Sequence, residues 1–460
     1  MPLNALPRGT GDAASGKEQP IAGPKFASRF GFIMAATGSA VGLGNIWRFP
    51  FVAGENGGGA FLLPYVMAVV LLGLPVMIIE IRAGSGTGRG VVGAFQAASK
   101  RAAPFGLLIA GASLLLLSYY LVVTGWAIGY LVHGVADQRP GFDTFTSGAN
   151  SVWFFLAAVA LTTGIVVLGV NKGIELSSLF LMPALVVILL GLAVYGMTLP
   201  GRGEALRFFL APDFAALSDP AVWIRAFGQA FFSVGVGMGV LITYGSYLPR
   251  GTDVTKSSIV VAAADTSIAI LAGLVVFPLA FSFGSSPGAG PGLAFDTLPQ
   301  AFDSFGAPTG YFVGVLFYAA LSVAAITSAV SLLETAVVSI GDAFRLRRAI
   351  GLGLVITALL LLGLPSALSY SGNGLQVLGR PFLDLADTLV GTLWLPIGVL
   401  VTVIVLGWLY RRDGGESSDT SRLNRLIAWS VQWLVPSAIV AVLGAMLLDL
   451  LRHRIVPHGG

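Results

Sequence analysis

Long hydrophobic stretches separated by short polar segments run along most of the chain. Each stretch holds about 20 residues, the length that an α-helix needs to cross a bilayer, and none alternates as the strands of a membrane β-barrel do. Eleven stretches are predicted, at residues 28–54, 59–82, 106–134, 151–169, 174–198, 221–248, 257–282, 309–340, 348–366, 384–410 and 424–451. The pattern predicts an all-α membrane protein with about eleven transmembrane helices.

Two of these stretches contain glycine clusters where a membrane helix should be continuous. The first contains "GSAVGLGNIWRFP" (Gly38 to Pro50), and the sixth contains "GVGMG" (Gly235 to Gly239). A bare peptide group in lipid costs several kcal/mol, so a break must face protein or a polar cavity. Each interrupted stretch begins a set of five spans, and paired interruptions of this kind point to the binding site of a transporter. We therefore predict that helices 1 and 6 are discontinuous.

Composition and charge support the membrane assignment. Residues are 55% hydrophobic and 10% charged, whereas a soluble domain has about 25% charged residues. With the N-terminus placed in the cytoplasm, 18 of the 26 Lys and Arg residues lie on the cytoplasmic side and 7 on the other. This bias is the one expected of a multi-pass protein of the plasma (inner) membrane, whose partner is the lipid bilayer. It explains the net charge of +4 without nucleic acid, and eleven spans place the C-terminus outside the cytoplasm.

Other features exclude several classes of function. The chain has no Cys and three scattered His residues, so no disulfide, thiol nucleophile or Cys-ligated metal is expected, and no enzyme site is predicted. Residues 1–25 have no apolar segment typical of a signal peptide and are predicted to form a flexible cytoplasmic tail. A single transporter domain is predicted at 26–451, with repeats at about 28–198 and 221–410 and helix eleven at 424–451. Residues 452–460 would form an extracytoplasmic tail.

The chain also resembles the neurotransmitter:sodium symporter family. The resemblance rests on "RFGFIMAATGSAVGLGNIWRFPFVAGENGGG", "SYYLVVTGW", "GQAFFSVGVGMGVLITYGSY", "ADTSIAILAGLVVFP", "AAITSAVSLLE" and "LDLADTLVG", which follow the order of the family between Lys25 and Leu451. It implies the prokaryotic amino-acid transporter branch and the LeuT-type fold, in which helices 1–5 and 6–10 form inverted repeats. It also implies a monomer or a weak homodimer.

The resemblance further implies two sodium sites. The first would use Ala40, Asn45, Ser233 and Asp265, and the second would use Gly38, Val41, Ala324, Thr327 and Ser328. Asp265 stands where many relatives have Asn, and Ala269, one turn further along, cannot ionise. Asp265 could therefore supply the negative charge that chloride supplies in other relatives, so no strict chloride requirement is expected. The alternative is that Asp265 only marks a helix end near water.

A substrate pocket follows from the same resemblance, at Ser39, Ala40, Leu43, Gly44, Leu116, Tyr120, Phe232, Ser233, Gly235, Met238, Ser328 and Leu332. The Tyr120 hydroxyl would bind a carboxylate and, with Phe232, close the pocket. Transporters of decarboxylated amines place an Asp in the unwound part of helix 1, and this chain has none there. An α-amino acid is therefore favoured over a monoamine, and the apolar lining favours an aliphatic or aromatic side chain.

Charged and aromatic residues near both ends of the bundle are expected to form gates. Arg48 would pair with Asp387, directly or through water, with help from Asp384, while Tyr120 and Phe232 cover the substrate. At the cytoplasmic side the resemblance indicates Asp342 and Tyr247. The Arg position expected there falls on Gly23, and Lys25 or Arg29 could substitute for it.

Two further features concern the interior of the bundle. Gly173 and Pro183 flank a segment of helix 5 that is predicted to unwind and admit water to the second sodium site; the alternative is a simple kink at Pro183. Glu55, Glu80 and Glu334 are interpreted as structural hydrogen-bond anchors.

The sequence thus predicts a symporter that uses two Na⁺ ions to import a hydrophobic α-amino acid by alternating access. Three alternatives remain open: a substrate-binding sensor or channel on the same fold, a transporter of another small amine or amino-acid derivative, and coupling to protons or lithium in place of one sodium.

Overall fold

The computed structural model describes residues 24–138, 140–211, 214–284, 293–371, 374–409 and 422–455. Gly23, the rest of both tails and parts of five connections lie outside these residues. Helices form nearly all of the described chain. Their bounds are α1 Arg29–Ala40, α2 Gly44–Glu55, α3 Gly59–Thr87, α4 Val91–Ala98, α5 Lys100–Val135, α6 Phe142–Ser147, α7 Asn150–Val167, α8 Val170–Gly196, α9 Arg202–Leu210, α10 Pro220–Ser233, α11 Val240–Ser246, α12 Val254–Ser282, α13 Thr297–Ser304, α14 Thr309–Phe344, α15 Arg348–Ala367, α16 Phe382–Leu409 and α17 Arg422–Ala445, which continues to Ile455.

The eleven predicted stretches all fall on helices. Nine helices of the described chain are long and apolar enough to cross a membrane. A tenth span consists of α1 and α2, which bend by 50° at their junction. The sixth stretch is divided into α10 and α11, each shorter than the roughly 20 residues that a span needs. The count by length is lower than eleven because two spans are broken.

Both predicted breaks are present, and glycine explains the second one directly. Helix α1 ends at Ala40, Val41 adopts an extended conformation, and a wide π-helical turn resumes the helix at Gly44. Between α10 and α11, Gly235, Gly237 and Gly239 have φ angles of 67°, 77° and 76°. L-residues with a side chain rarely adopt such angles, so the glycines permit the break.

Two long helices form a frame around the breaks. Helices α5 and α14 have 36 residues each, which corresponds to roughly 54 Å at 1.5 Å per residue, and they share the most extensive helix–helix contact of the bundle. Helix α1 packs against α14, α12 and α8. The breaks are therefore buried between continuous helices rather than exposed to lipid.

Helix α8 is wound where the sequence predicts that it unwinds. It begins with a π-helical turn at Val170–Glu175 and continues without interruption through Pro183 to Gly196. Gly173 lies in the wide turn, where a Cβ atom would collide with the carbonyl oxygen of Ile165. The structure thus shows a wide turn in place of an unwound segment.

One short antiparallel ribbon, β1 Gln376–Val377 with β2 Arg380–Pro381, is the exception to the all-helical fold within the described residues.

Candidate binding site

A central cavity with a volume of about 30 Å³ lies where the two breaks meet. Ten of the twelve predicted substrate residues line it: Ser39, Ala40, Gly44, Leu116, Tyr120, Phe232, Gly235, Met238, Ser328 and Leu332. Gly42, Val240 and Ser331 also line it and were missed. Of the two predicted residues that are not in the lining, Leu43 contributes its backbone N–H to Tyr120, and Ser233 belongs to a neighbouring polar cluster.

Backbone groups freed by the first break point towards Tyr120. The Leu43 N–H donates to the Tyr120 hydroxyl at 3.1 Å, and the Tyr120 side chain also hydrogen-bonds that of Ser328. A Cβ atom on Gly44 would lie 2.8 Å from the ring of Phe232, so glycine is needed for this close approach. Free N–H groups at the start of a helix are suited to a carboxylate.

A fully buried polar cluster lies beside the cavity. The Asn45 amide donates to Asp265 Oδ1 at 2.7 Å and to Ser233 Oγ at 3.0 Å, and the Ser233 hydroxyl donates to Asp265 Oδ2 at 2.7 Å. The Tyr65 hydroxyl lies 3.0 Å from Ser233 Oγ and was not predicted from the sequence. Ala40, the fourth predicted ligand of the first sodium site, lines the cavity next to this cluster.

The donor set of this cluster suits a hard monovalent cation. Asp265 is completely buried and forms no ion pair with any described residue. A buried carboxylate without a counter-charge is costly, and the neighbouring oxygens come from amide and hydroxyl groups. The described residues contain no group of three or more His, Cys, Asp or Glu side chains that could hold a metal ion.

A second polar cluster joins the end of α1 to α14. Ser328 Oγ lies within hydrogen-bond reach of the carbonyl oxygens of Ser39 (2.9 Å), Gly38 (3.3 Å) and Val41 (3.3 Å). Thr327 instead donates to Ala324 and Val323 within its own helix, as Thr commonly does. The five residues predicted for the second sodium site are therefore in one place.

At one mouth of the cavity, Arg48 and Asp387 have separate partners. Arg48 donates to Gln229 at 2.7 Å, and its guanidinium lies 4.8 Å from the centre of the Phe232 ring. Gln229 in turn donates to the carbonyl oxygen of Gly44. Asp387 accepts from Tyr119 and Asp384 accepts from Tyr370. Arg48 and Asp387 thus form no direct ion pair, and Gln229 was not predicted from the sequence.

The other mouth lies beside residues 24–28, and we call it the N-terminal mouth. The prediction that Lys25 or Arg29 binds Asp342 is wrong for this conformation. Lys25 donates to the Ser246 carbonyl, and Arg29 donates to Ser257. Asp342 accepts the backbone N–H of Gly90 instead, because it lies near the end of α14 against the turn that precedes α4. Burial and the charge of Arg250 lower the pKa of Lys25.

A basic residue binds Glu334 rather than Asp342. Arg348 binds Glu334 through both guanidinium nitrogens at 2.8 and 2.7 Å, and the Tyr247 hydroxyl donates to it at 2.6 Å. Glu80 acts as the anchor that was predicted, since it accepts the N–H of Gly237 in the second break. Glu55 differs from the prediction, because it lies at the surface beside Arg225.

Helix α8 holds the chain at the N-terminal mouth through a set of contacts that we call the clamp, formed by Lys25, Phe26, Ala27, Asn171 and Glu175. Glu175 accepts the N–H of Ala27 at 2.8 Å, and Asn171 donates to the carbonyl oxygen of Lys25 at 2.8 Å. Asn171 also donates to Glu175. The N–H of Phe26 donates to the Tyr247 carbonyl on the other side. The start of α1 is therefore held by α8 and by the end of α11.

This chain is similar in sequence to several known transporters and in structure to one of them. The sequence model of the Sodium:neurotransmitter symporter family matches residues 23–152 and 143–458. An uncharacterized sodium-dependent transporter of Bacillus subtilis, YhdH, is 37% identical over 91% of this chain and 96% of its own length. The human sodium- and chloride-dependent taurine transporter is 28% identical over 96% of this chain and 80% of its own. The crystal structure of MhsT in complex with L-phenylalanine matches with a TM-score of 0.83 and 38% identity, over 91% of this chain and 99% of MhsT. This match confirms the predicted fold.

Proposed function

We propose, from the premise that this chain belongs to the sodium:neurotransmitter symporter family, that it imports a hydrophobic α-amino acid together with Na⁺ by alternating access. Members of this family are transporters rather than enzymes, and the helices of this chain are apolar enough to span a membrane repeatedly. The observation that carries the proposal is the cavity between the two breaks, beside which lies the buried carboxylate of Asp265 that forms no ion pair with a described residue.

The proposed first sodium ion binds among Asn45, Ser233 and Asp265, with the carbonyl oxygen of Ala40 completing the site. Its charge would compensate the carboxylate of Asp265, which among the described residues accepts hydrogen bonds from neutral groups alone. The side-chain amino group of Asn45 now donates to Asp265. To bind the ion, the amide of Asn45 must rotate so that its oxygen faces the ion. Sodium binding therefore reorganises the wall of the cavity.

The proposed second sodium ion binds between α1 and α14. The carbonyl oxygens of Gly38 and Val41 converge on the hydroxyl of Ser328. Thr327 precedes Ser328 on the same helix, and its hydroxyl donates to the carbonyl oxygen of Ala324. An ion at this position would draw the end of α1 towards α14. The site thus exists only while α1 is packed against the frame.

In the proposed complex, the substrate carboxylate accepts the N–H groups of Leu43 and Gly44. The Tyr120 hydroxyl gives up its hydrogen bond from Leu43 and donates to the carboxylate instead. No acidic side chain of the described residues lines the cavity, which leaves room for an anionic group and disfavours a decarboxylated amine. Leu116, Phe232, Met238 and Leu332 supply an apolar lining. MhsT, a relative of known structure, has been solved with L-phenylalanine, and this supports a hydrophobic amino acid.

The experiment that tests the function is uptake into proteoliposomes with a panel of the twenty amino acids. We expect concentrative uptake of aliphatic or aromatic amino acids that requires Na⁺ and survives complete replacement of chloride by gluconate, because Asp265 supplies the negative charge. Binding without accumulation would indicate a sensor instead. Uptake that stops when chloride is removed would show that Asp265 does not replace the anion.

The proposed orientation places the N-terminal mouth in the cytoplasm of a cell whose plasma membrane holds the protein. Closure of this mouth then depends on the clamp, since its hydrogen bonds join the start of α1 to α8 and α11. Loss of these bonds would let α1 move away from the second sodium site. At the opposite mouth, Arg48 and Phe232 close the cavity together. Asp387 becomes available to pair with Arg48 once Tyr119 moves away from it.

Replacing Glu175 with Ala is expected to open the N-terminal mouth more often. The chain has no Cys, so a Ser178→Cys reporter, buried one turn beyond Glu175, gives one reactive thiol. Two hydrogen bonds to a carboxylate are lost, and we expect the rate of thiol alkylation to rise on the order of tenfold. Glu204→Ala, a surface change on α9, serves as the control. An unchanged rate in the Glu175→Ala variant would contradict the role of the clamp.

A further inference from the structure

A pair of serine hydroxyls lies at the end of the cavity nearest the N-terminal mouth. Ser39 on α1 donates to Ser331 Oγ on α14 at 2.7 Å, and both residues line the cavity. Ser331 also hydrogen-bonds the side chain of Tyr244 on α11. Leu43 and Gly44, whose N–H groups are proposed to bind the carboxylate, lie across the break of α1. The break of α1 thus separates the serine pair from the proposed carboxylate position.

Each serine hydroxyl has a single proton, and this determines which group donates each hydrogen bond. Ser331 lies 2.7 Å from the carbonyl oxygen of Ser328, and a carbonyl can only accept. The single hydroxyl proton of Ser331 is therefore committed to Ser328, and its two lone pairs receive the protons of Ser39 and Tyr244. Ser39 must donate to Ser331, so it has no proton left for a ligand.

Ser39 consequently offers the cavity an acceptor and no donor. Its oxygen has two lone pairs, and no other described group donates to it. It is partly exposed, whereas Ser331 is buried. A ligand group placed here gains a hydrogen bond only if it brings its own N–H or O–H.

We propose that Ser39, held by Ser331, selects aromatic amino acids whose side chain carries a hydrogen-bond donor, with the indole N–H of tryptophan as the best match. This inference rests on the proposed function and narrows its substrate class. Met238, Val240 and Leu332 line the cavity with the serine pair, so an aromatic ring meets an apolar wall while its N–H reaches the Ser39 oxygen. A site built to accept such a bond discriminates against an isostere that lacks the donor.

The test compares tryptophan with 3-(benzothiophen-3-yl)-L-alanine, which replaces the ring N–H with sulfur at nearly the same shape. Both compete with radiolabelled leucine for sodium-dependent binding to the full-length protein. We expect wild-type protein to bind tryptophan about tenfold more tightly than the isostere, the gain typical of one hydrogen bond. Ser39→Ala should remove this preference and leave the affinities for the isostere and leucine within twofold.

Two further variants separate recognition from packing. Ser331→Ala removes the acceptor that fixes the Ser39 proton, so it should also reduce the preference for tryptophan. Ser322→Ala, on the same helix but remote from the cavity lining, removes a hydroxyl that has no hydrogen-bond partner among the described residues and should leave the ratio unchanged. Equal affinity of wild-type protein for tryptophan and the isostere, or equal weakening of all three ligands by Ser39→Ala, overturns the inference. Failure of leucine, phenylalanine and tryptophan to bind at all overturns the proposed function itself.

Discussion

Asp265→Asn is expected to reduce the apparent affinity for Na⁺ by about 100-fold or more and to abolish uptake at physiological sodium concentrations. The variant keeps the size and most of the hydrogen bonds of the side chain but removes the buried charge, which no described basic group compensates. If the ion is the partner of this charge, most of the electrostatic attraction is lost, and breaking a buried pair of charges typically costs about 3–5 kcal/mol. Sodium titration of substrate binding measures the effect.

A matched control for this prediction is available on the same helix. Asp253 lies at the start of α12, partly exposed, and caps the N–H of Lys256. Because Asn caps a helix almost as well as Asp, Asp253→Asn should leave the sodium dependence unchanged. An Asp265→Asn variant that binds Na⁺ within threefold of wild type would show that the carboxylate has only a structural role.

Gly42→Ala is the second change with a large expected effect, and we expect no detectable uptake. A Cβ atom on Gly42 would lie 2.6 Å from the Tyr120 hydroxyl and would collide with the hydroxyl of Ser328. The methyl group would therefore fill the space at the first break where a carboxylate is proposed to bind. Radiolabelled substrate binding and uptake measure the loss, and sodium-dependent thermal stabilisation reports whether the variant is folded.

Gly228→Ala provides the comparison for Gly42→Ala. Gly228 lies in α10, and a Cβ atom there would meet no atom within 4 Å. Alanine also favours the helix over glycine, so this variant should transport as wild type does. Normal transport by Gly42→Ala would mean that the break is wide enough for substrate and methyl group together, and the proposed carboxylate position would be wrong.

The sequence was most informative where function requires unusual residues inside a membrane. Glycines at 42, 44, 235, 237 and 239 could be interpreted from the sequence alone, because lipid does not tolerate a broken helix. Residues that line the cavity were then placed by the resemblance to the family. Tyr65 and Gln229 were missed because they lie in ordinary helical segments, and only their contacts across helices reveal their roles.

The closure of the N-terminal mouth could not be predicted for a related reason. Its partners are far apart in the sequence, since Asn171 and Lys25 are 146 residues apart, and the bonds involve backbone groups that every residue carries. The resemblance to the family pointed to Asp342 as the acid of this gate, whereas in the structure Asp342 accepts a backbone N–H and Arg348 binds Glu334. Charge complementarity in a sequence shows which groups need partners, but it does not show which of several neutral groups will be near them.

The length of the two frame helices has a consequence for the surroundings of the transport path. A helix of 36 residues tilted by a typical 20° still extends roughly 20 Å beyond a hydrocarbon layer about 30 Å thick. Both ends of the path are thereby surrounded by headgroups and water, where anionic lipids concentrate cations. A thinner or thicker bilayer would change how much of this frame is hydrated, while the distance between the two frame helices at the central cavity would stay the same.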